Sequence, residues 1–379
     1  MKTILFYAIN GVGLGHLQRV HLIAEVLRRK NVKIILATTA PAFRIFGRFF
    51  HHCVKLTPPS DELFKSPRAY KTKLLNARRF ISAVRRFKPN LIVADFYLNT
   101  SFSLYPLIYG LSKFPLKSVF IWRIDEARAF CRDLKNEIIQ GDYFQKIILP
   151  HSKEELKSLL PRSAIRAILA DRRFEICGPI FRKIKKDKLP ICRQKYKVSP
   201  SDFLITIALG GGGSIKIGHC DSAAKIINDF LTVYSRLTSA IPNFKVAIIT
   251  GPYFSDFKKK LPPNLKIIKF EKNLPELMHL SKLVISAAGY NTCNELIEAK
   301  TPAILIPLLR GNREQFERAY YFKKKGVAEV LEDASPQNLS ATVLNCRKNL
   351  GKMKENFKNF SEIKPGNQKA AEIILNLIT

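Results

Sequence analysis

The sequence predicts an α/β protein made of two doubly wound, Rossmann-like domains that follow each other along the chain. Strand-like and helix-like segments alternate in both halves, a pattern typical of parallel sheets covered by helices on both faces. Each half begins with a buried strand that runs into a glycine cluster, Gly11–Gly15 in the first half and Gly210–Gly213 in the second. The length of 379 residues suits two domains, each with its own core.

The first domain is predicted to span residues 1–180. The β-branched and aromatic run Thr3–Ile9 is interpreted as its first strand, and apolar residues then recur at helical spacing over Leu17–Arg29. Further predicted elements are strands at Val32–Thr38, Leu91–Ala94, Val119–Trp122 and Lys146–Leu149 and an arginine-rich amphipathic helix at Leu74–Phe87.

Residues 181–200 are predicted to be a linker, because proline, glycine and dense charge cluster there. The strand–helix pattern then restarts, so residues 201–360 form the second predicted domain. Residues 361–379 form a terminal helix that we expect to pack back on the first domain. The remaining predicted strands are Phe203–Leu209, Phe244–Thr250, Leu265–Phe270, Leu283–Ser286 and Ala303–Pro307, and the predicted helices are Ser222–Thr238, Tyr290–Lys300, Glu314–Lys325, Pro336–Leu350 and Gly366–Ile378.

The composition is that of a globular protein, with 46% hydrophobic and 25% charged residues, and this excludes a mostly disordered chain. The formal net charge of +34 predicts an anionic partner: nucleic acid, an anionic membrane surface or a phosphorylated ligand. The alternative is that this charge only keeps the protein soluble. The oligomeric state is not predicted.

The seven cysteines form no C-x-x-C pair, which argues against a disulfide framework and a thiolate zinc site and favours a reducing compartment. The N-terminus lacks the features of a signal peptide. The longest uncharged run, Phe96–Ser112, is too polar and short for a membrane span. We therefore expect a cytoplasmic protein, at most peripheral on the inner face of the membrane.

The first glycine cluster ends in His16, at the start of a helix and at the carboxyl end of a strand, where ligands of such sheets bind. Asp95 ends the strand Leu91–Ala94 at the same predicted edge. A carboxylate beside a histidine fixes its tautomer and raises its basicity, so the pair is a candidate general base. His16 could instead make only a structural hydrogen bond, and Asp95 could simply cap a helix.

Four successive glycines, Gly210–Gly213, are costly in backbone entropy unless the backbone binds something, so this loop with Ser214 is a candidate diphosphate or sugar seat. The alternative is a flexible turn. A third candidate seat is the helix start at Gly289–Thr292, with Glu295 one turn further on, able to accept hydrogen bonds from ribose hydroxyls. A polar cluster, Arg310–Gln315, follows the next strand.

Taken together, these motifs resemble glycosyltransferase family 28. The resemblance runs from the loop ending at Ser214, through Phe270 and the run SAAGYNTCNE (Ser286–Glu295), to Pro307 and REQFERA (Arg313–Ala319). The N-terminal GVGLGHLQR (Gly11–Arg19) resembles the opening of this and related GT-B glycosyltransferases, whereas residues 40–180 match only diffusely.

The resemblance implies the GT-B architecture, in which two Rossmann-like domains face a cleft. The second domain would bind a nucleotide-sugar, typically a UDP-hexose or UDP-N-acetylhexosamine, and the first would bind the acceptor. Glu295 matches the ribose-binding glutamate, and Phe270 matches the residue at the base. Glu314 and Gln315 match the donor-sugar contacts; the family more often has two glutamines or Asp-Gln there, so the sugar stays open.

The predicted mechanism is an inverting transfer without an essential metal or other cofactor. Backbone amides and helix dipoles would stabilise the leaving diphosphate, and His16, oriented by Asp95, would deprotonate the acceptor. The catalytic pair is thus His16 and Asp95, and the predicted donor-binding residues are Gly13, Gly15, Gly211, Gly212, Gly213, Ser214, Phe270, Gly289, Tyr290, Asn291, Thr292, Glu295, Glu314 and Gln315.

Two other functions compete with transfer. A group of nucleotide-sugar hydrolases shares the G-x-G-H-x-x-R opening, here Gly13 to Arg19, and transfers the sugar to water. A non-catalytic subunit that binds a nucleotide-sugar, or recruits a partner to membranes, is the alternative from outside the enzymes.

Residues 28–88 contain 16 lysines and arginines against Asp61 and Glu62 alone. Aromatic residues interleave with these cations, a combination that suits a segment on anionic lipid and therefore a lipid-linked acceptor. Alternatively the aromatics are core and the charges a solvated face; binding of nucleic acid is least favoured, since no RNA-binding signature is present. The interleaved aromatics are Phe43, Phe46, Phe49, Phe50, Phe64, Tyr70, Phe80 and Phe87.

Overall fold

The computed structural model of the chain describes residues 1–10, 13–58, 68–98, 101–211, 221–254, 261–308 and 313–378; the side chains of residues 101, 221 and 222 are not included. It divides into two compact units. Met1–Phe181 with Ile363–Thr379 form the first domain, and Arg182–Glu362 form the second.

The first domain is built on a seven-stranded sheet with the order β3-β2-β1-β4-β5-β6-β7, and every strand pair is parallel. Its strands are β1 (Thr3–Ala8), β2 (Lys33–Thr38), β3 (His52–Lys55), β4 (Leu91–Asp95), β5 (Ser118–Ile121), β6 (Lys146–Leu149) and β7 (Phe174–Ile176). Its helices before residue 181 are α1 (Gly15–Leu27), α2 (Arg68–Phe87), α3 (Ser101–Lys113), α4 (Ala127–Asp133), α5 (Glu137–Gln140), α6 (Lys153–Leu159) and α7 (Arg162–Ala170).

The second domain contains a six-stranded parallel sheet with the order β10-β9-β8-β11-β12-β13. Its strands are β8 (Phe203–Ala208), β9 (Phe244–Ile249), β10 (Leu265–Ile268), β11 (Leu283–Ser286), β12 (Ala303–Leu305) and β13 (Ala328–Val330). Its helices are α8 (Leu189–Tyr196), α9 (Asp221–Ala240), α10 (Leu274–Leu280), α11 (Tyr290–Ala299), α12 (Glu314–Lys324) and α13 (Pro336–Glu355).

The central strands are mostly apolar because helices cover both faces of a doubly wound parallel sheet. All residues of β1 and β4 are buried. Strand register then decides which residues meet at the carboxyl edge. Ala8 pairs with Asp95 in the first domain, and Ala208 pairs with Ser286 in the second. The loops that follow these strands therefore start at the same edge of their sheet.

The last described helix, α14 (Asn367–Leu375), belongs to the first domain and packs on α1. Gly178 and Gly366 allow this return, since a Cβ atom at Gly366 would lie 2.3 Å from the carbonyl oxygen of Gly178. The Gly366 N–H donates to Pro179 O at 2.7 Å. Only glycine permits so close an approach of two backbones.

The segment predicted as a linker, 181–200, differs from that expectation. From Arg182 onward it is part of the second domain and contains α8, whose Cys192 and Tyr196 are buried. Proline and charge are compatible with this helix because Pro190 lies in its first turn, where no intrahelical N–H bond is lost.

The sequence analysis missed the edge strands β3, β7 and β13. Each has only three or four residues, and their half-exposed residues give neither a buried apolar run nor a clean alternation. Helix α2 was predicted from Leu74, but it already includes Arg68. The uncharged run at 96–112 is explained by α3, which buries Leu107 and Leu111 in the core. None of the described helices is long and apolar enough to span a membrane.

Candidate functional site

His16 and Asp95 meet at the carboxyl edge of the first sheet. His16 lies in the first turn of α1, directly after the glycine loop, and Asp95 is the last residue of β4. His16 Nδ1 lies 2.5 Å from Asp95 Oδ1, and both side chains are buried. Gly13, at a φ of 102°, turns the chain into the helix. Asn10 accepts a hydrogen bond from the Leu17 N–H at 3.0 Å and so holds the helix start against β1.

Arg19 completes this cluster, although the sequence analysis noted it only as the last residue of the N-terminal motif and gave it no role in the site. Its Nε donates to Asp95 Oδ2 at 2.9 Å and its Nη2 donates to Oδ1 at 2.7 Å. It is 1% exposed, one turn after His16 on α1. A bidentate pair with a buried guanidinium fixes a carboxylate in position. Asp95 is therefore held by α1 at two points.

The electrostatics of the cluster define the protonation of His16. Burial raises the pKa of Asp95, but Arg19 and His16 outweigh this, and the pKa stays below its ordinary value. Burial lowers the pKa of His16, and Arg19 and Arg123 add to that effect against the opposing influence of Asp95. At neutral pH the pair is thus an ionised carboxylate and a neutral imidazole. Because Nδ1–H donates to the carboxylate, Nε2 has the free lone pair of a general base.

In the second domain, the described part of the glycine loop is Gly210 and Gly211, and the predicted residues Gly212, Gly213 and Ser214 lie outside the described residues. Gly251, which follows β9 with a φ of 93°, packs against this loop. A Cβ atom there would lie 2.2 Å from the carbonyl carbon of Gly211. Gly251 thus shapes the glycine loop, a role that no local sequence signal indicates.

The helix start after β11 has the predicted strand–glycine–helix form. Gly289 is the N-cap of α11, so Asn291 and Thr292, expected near the cap, lie within the first turn. Tyr290 is 4% exposed, so it could meet a ligand mainly through its backbone amide. The Ser286 hydroxyl donates to Ala208 O at 2.6 Å and joins this turn to the end of β8.

Glu295, the expected ribose contact, is paired with Arg182. Arg182 Nε donates to Oε1 at 2.7 Å and Nη2 donates to Oε2 at 2.9 Å. Glu295 is 1% exposed, whereas the Arg182 side chain is 21% exposed. Arg182 comes from the segment expected to be a linker, which is why sequence reasoning missed it.

The predicted donor-sugar residues Glu314 and Gln315 both have partners within the second domain, and Arg318 is the partner of Glu314. Arg318 donates to Ala288 O at 2.9 Å and lies 3.3 Å from Glu314 Oε1. Gln315 is buried, and its Oε1 accepts the Leu308 N–H at 2.9 Å. Glu314 and Gln315 thus make contacts that hold the start of α12 in place. Their contact with a donor sugar stays a prediction.

Phe270 is half-buried just after the edge strand β10, and its role at the base likewise stays a prediction. Gly15 and Gly289 have open space where a Cβ would stand, as close approach of a ligand to the backbone requires. Within the described ranges, no three or more His, Cys, Asp or Glu side chains are grouped as metal ligands.

The aromatic residues of the basic segment differ from one another in burial. Phe46, Phe50 and Phe80 are buried, and among the described aromatics of this segment only Tyr70 is exposed. Phe64 lies outside the described residues. These three buried residues fit the alternative interpretation of the aromatics as core, whereas Phe43, Phe49 and Phe87 are half-buried. Contact of the segment with a membrane stays a prediction. The exposed cations of α2 and its end remain: Arg68, Lys71, Arg78, Arg79, Arg85, Arg86 and Lys88.

Comparison with known proteins relates the second half of the chain to a known family. Residues 217–374 match the family model described as glycosyltransferase family 28 C-terminal domain. Two curated relatives are named UDP-N-acetylglucosamine–N-acetylmuramyl-(pentapeptide) pyrophosphoryl-undecaprenol N-acetylglucosamine transferase. The protein of Prochlorococcus marinus is 29% identical over 47% of this chain and 52% of its own length. The protein of Carboxydothermus hydrogenoformans is 33% identical over 43% of this chain and 44% of its own length. The chain thus spans about half the length of the curated relatives it matches.

Solved structures match over the whole chain. MurG of Acinetobacter baumannii has a TM-score of 0.61 at 14% identity and covers 99% of this chain and 100% of its own. The spinosyn forosaminyltransferase SpnP has a TM-score of 0.67 at 12% identity, with full coverage of both chains. At such identities the likeness shows the fold. The chain thus has the GT-B fold, and residues 217–374 are similar to the C-terminal domain of glycosyltransferase family 28.

Proposed function

We propose that this chain is an inverting glycosyltransferase that moves a sugar from a nucleotide-sugar to an acceptor hydroxyl. The observation that carries the proposal is the buried His16–Asp95 pair at the carboxyl edge of one sheet, in a chain whose residues 217–374 match the C-terminal domain of family 28. The curated relatives use UDP-N-acetylglucosamine and a lipid-linked acceptor by name. These names favour a UDP-hexose or UDP-N-acetylhexosamine donor and a lipid-linked acceptor here.

In the proposed reaction, His16 Nε2 removes the proton of the acceptor hydroxyl while that oxygen attacks C1 of the sugar. The C1–O bond to the diphosphate breaks on the opposite face, and the anomeric configuration inverts. Asp95 holds the imidazole and stabilises the imidazolium that forms. Arg19 keeps Asp95 ionised, so the proton stays on His16 until it is lost to water.

The leaving diphosphate gains negative charge, and preorganised donors are most effective there. We assign this role to the backbone of the glycine loop at Gly210–Gly211 and to the amides at the start of α11. The proposed site uses no metal or other cofactor. Each carboxylate oxygen of Glu295 accepts one hydrogen bond from Arg182 and has the capacity for a second, from a ribose hydroxyl.

The proposed acceptor domain would act at the cytosolic face of an anionic membrane. The support is the exposed cationic face of α2, a helix without a single acidic residue. Each such cation near an anionic surface contributes roughly 1 kcal/mol of attraction.

Binding of the donor nucleotide is the first test. Thermal unfolding of the full chain is measured with UDP, TDP, GDP, CMP and ADP in turn. A ligand at about 100 times its dissociation constant adds roughly 2.7 kcal/mol to the free energy of unfolding. We expect UDP to stabilise selectively. If no nucleotide stabilises the chain, the donor site proposed here is wrong.

A nucleotide-sugar hydrolase is the second candidate, and Arg19 favours it, because the last residue of the G-x-G-H-x-x-R opening is part of the His16–Asp95 cluster. The two functions differ in their product. With UDP-N-acetylglucosamine and lipid-linked acceptor vesicles, a transferase forms a glycosylated lipid. A hydrolase releases free sugar at the same rate with and without vesicles, and that result would replace the proposed function.

A further inference from the structure

A tyrosine lies against the imidazole of His16. Tyr97 follows β4 two residues after Asp95, and its ring meets the His16 ring edge to face, with centroids 4.7 Å apart and an interplanar angle of 87°. Edge-to-face contact is a preferred and stabilising arrangement of two aromatic rings. The imidazole is therefore bounded by Asp95 at Nδ1 and by Tyr97 at the ring.

The hydroxyl of Tyr97 is itself held from the neighbouring strand. Arg123 follows β5, is 6% exposed and donates from Nη2 to the Tyr97 hydroxyl at 3.0 Å. The same nitrogen lies 2.5 Å from Asp125 Oδ1. Asp125, Arg123 and Tyr97 thus form a chain of polar contacts that ends at His16.

The loop that carries Arg123 is anchored in turn. The Ile124 N–H donates to Nε2 of His151, which is fully buried after β6. His151 Nδ1 lies 3.0 Å from Glu155 Oε2. Three strand ends, those of β4, β5 and β6, therefore contribute to one rigid arrangement.

We propose that Tyr97 and Arg123 are positioning residues that brace His16, with Arg123 holding Tyr97 and Tyr97 fixing the plane of the imidazole. This inference rests on the proposed function only in taking His16 as the general base. A base must be held within hydrogen-bond reach of the proton that it removes, and a misplacement of about 1 Å can cost 100-fold in rate. Asp95 alone fixes one ring nitrogen and leaves rotation about that hydrogen bond open.

The brace also acts through charge. The charged groups that face His16 in the described part of the chain are Asp95 from β4, Arg19 from α1 and Arg123 from the loop after β5. After burial, the two arginines lower the pKa of His16 and Asp95 raises it. Arg123 thereby helps to keep Nε2 unprotonated at neutral pH.

The deciding experiment titrates His16 by NMR in the full chain, with ring-labelled histidine and assignment by the His16→Gln variant. The Arg123→Gln variant removes the buried charge and the bond to Tyr97. We expect an upward shift of the pKa of His16 relative to the native chain. The matched control is Arg132→Gln, which removes the same charge from a side chain that is 68% exposed. If Arg123→Gln gives the same titration as Arg132→Gln, the brace does not exist.

Kinetics test the geometric part of the brace. Tyr97→Phe keeps the ring but loses the hydroxyl that Arg123 holds, and we expect kcat to fall about 10-fold with KM changed less than about 3-fold. Tyr97→Leu also removes the ring and should lower kcat about 100-fold. Equal activity of Tyr97→Leu and the native chain would overturn the proposal. The Arg123→Lys variant retains the charge and serves if Arg123→Gln does not fold; it should keep the low pKa of His16 and lower kcat.

Failure of the brace and failure of the proposed function give different results. The titration needs no substrate, so a shifted pKa in a chain that transfers no sugar supports the brace and removes the transferase. If the pKa of His16 is unshifted in the variant while the native chain transfers sugar, the brace is refuted and the transferase function is supported.

Discussion

Asp95 in the first domain and Glu295 in the second are both buried carboxylates gripped by two nitrogens of one arginine. They differ in what surrounds them. Arg19 is sealed with Asp95, and His16 shares the same carboxylate oxygen. The Arg182 side chain is one-fifth exposed, so the Glu295–Arg182 pair reaches solvent on the side of the arginine.

The difference shows how one motif can serve two kinds of chemistry. In a fully buried carboxylate–arginine pair, no ligand can reach either group. Such a pair can therefore act only on an adjacent residue, here by setting the protonation and orientation of His16. A pair that reaches solvent through its arginine can admit ligand groups. We therefore expect the first pair to control turnover and pH dependence and the second to control affinity for the donor.

The largest effect is expected from Asp95→Asn. The variant keeps the shape of the side chain but leaves the buried charge of Arg19 without a counter-ion, which typically destabilises by about 3–5 kcal/mol. Denaturant unfolding of the full chain should show an earlier first-domain transition, and turnover should be lost. Glu295→Gln is the matched control in the other domain. A comparable loss from both variants would contradict the distinction drawn between a sealed and an open pair.

A smaller effect is expected from His16→Ala, which removes the base but leaves the Asp95–Arg19 pair intact. The rate should fall about 100-fold to 10,000-fold, as loss of a general base commonly does, while stabilisation by UDP stays unchanged. In the native chain, activity should fall as the pH decreases through the pKa of His16. Since burial and then the arginines lower this pKa, the midpoint lies below 6.5.

The control for this variant is His52→Ala, an exposed histidine stacked on Phe87 away from the cluster. Equal rates for His16→Ala and His52→Ala would remove His16 from the mechanism. An acid limb with its midpoint above 6.5 would show that Asp95 outweighs burial and the arginines.

The smallest effect is expected from Glu295→Gln. The side chain keeps its size, Arg182 is partly solvated, and only the charge-assisted acceptors for ribose hydroxyls are lost. The dissociation constant of UDP should rise about 10-fold, equivalent to about 1.4 kcal/mol, and kcat at saturating donor should change little. Titration calorimetry measures the first quantity. An unchanged affinity for UDP would mean that the Glu295–Arg182 pair is purely structural.

The encounter of His16 with Asp95 could be anticipated from sequence because it follows from topology. Both residues end or follow buried strands, and carboxyl ends of parallel strands lie at one edge of the sheet. The same reasoning could not find Arg182, Tyr97 or Arg123 as partners. Their contacts depend on side-chain directions and on loops whose course has no periodic signal.

The burial of the aromatic residues in the basic segment is another property that the sequence pattern could not decide. The sequence pattern around Phe46 and Phe50 is compatible both with a lipid-facing segment and with a buried one. Only packing within the first domain, such as the contact of Phe50 with Phe6, decided that they are buried. Gly251 is a further case, because its requirement for glycine comes from the backbone of Gly211, forty residues earlier in the chain.

The sequence by itself determined the α/β class, the two parallel sheets and the positions of the glycine loops, because apolar periodicity and strand-to-glycine transitions are local properties. Only the tertiary structure decided which arginine pairs with which buried carboxylate. Arg19 joins Asp95 through one turn of α1, and Arg182 reaches Glu295 across more than a hundred residues. A buried charge without a partner of opposite charge is strongly destabilising, so the folded structure must supply one. The separation of two residues along the chain does not predict whether they are close in space.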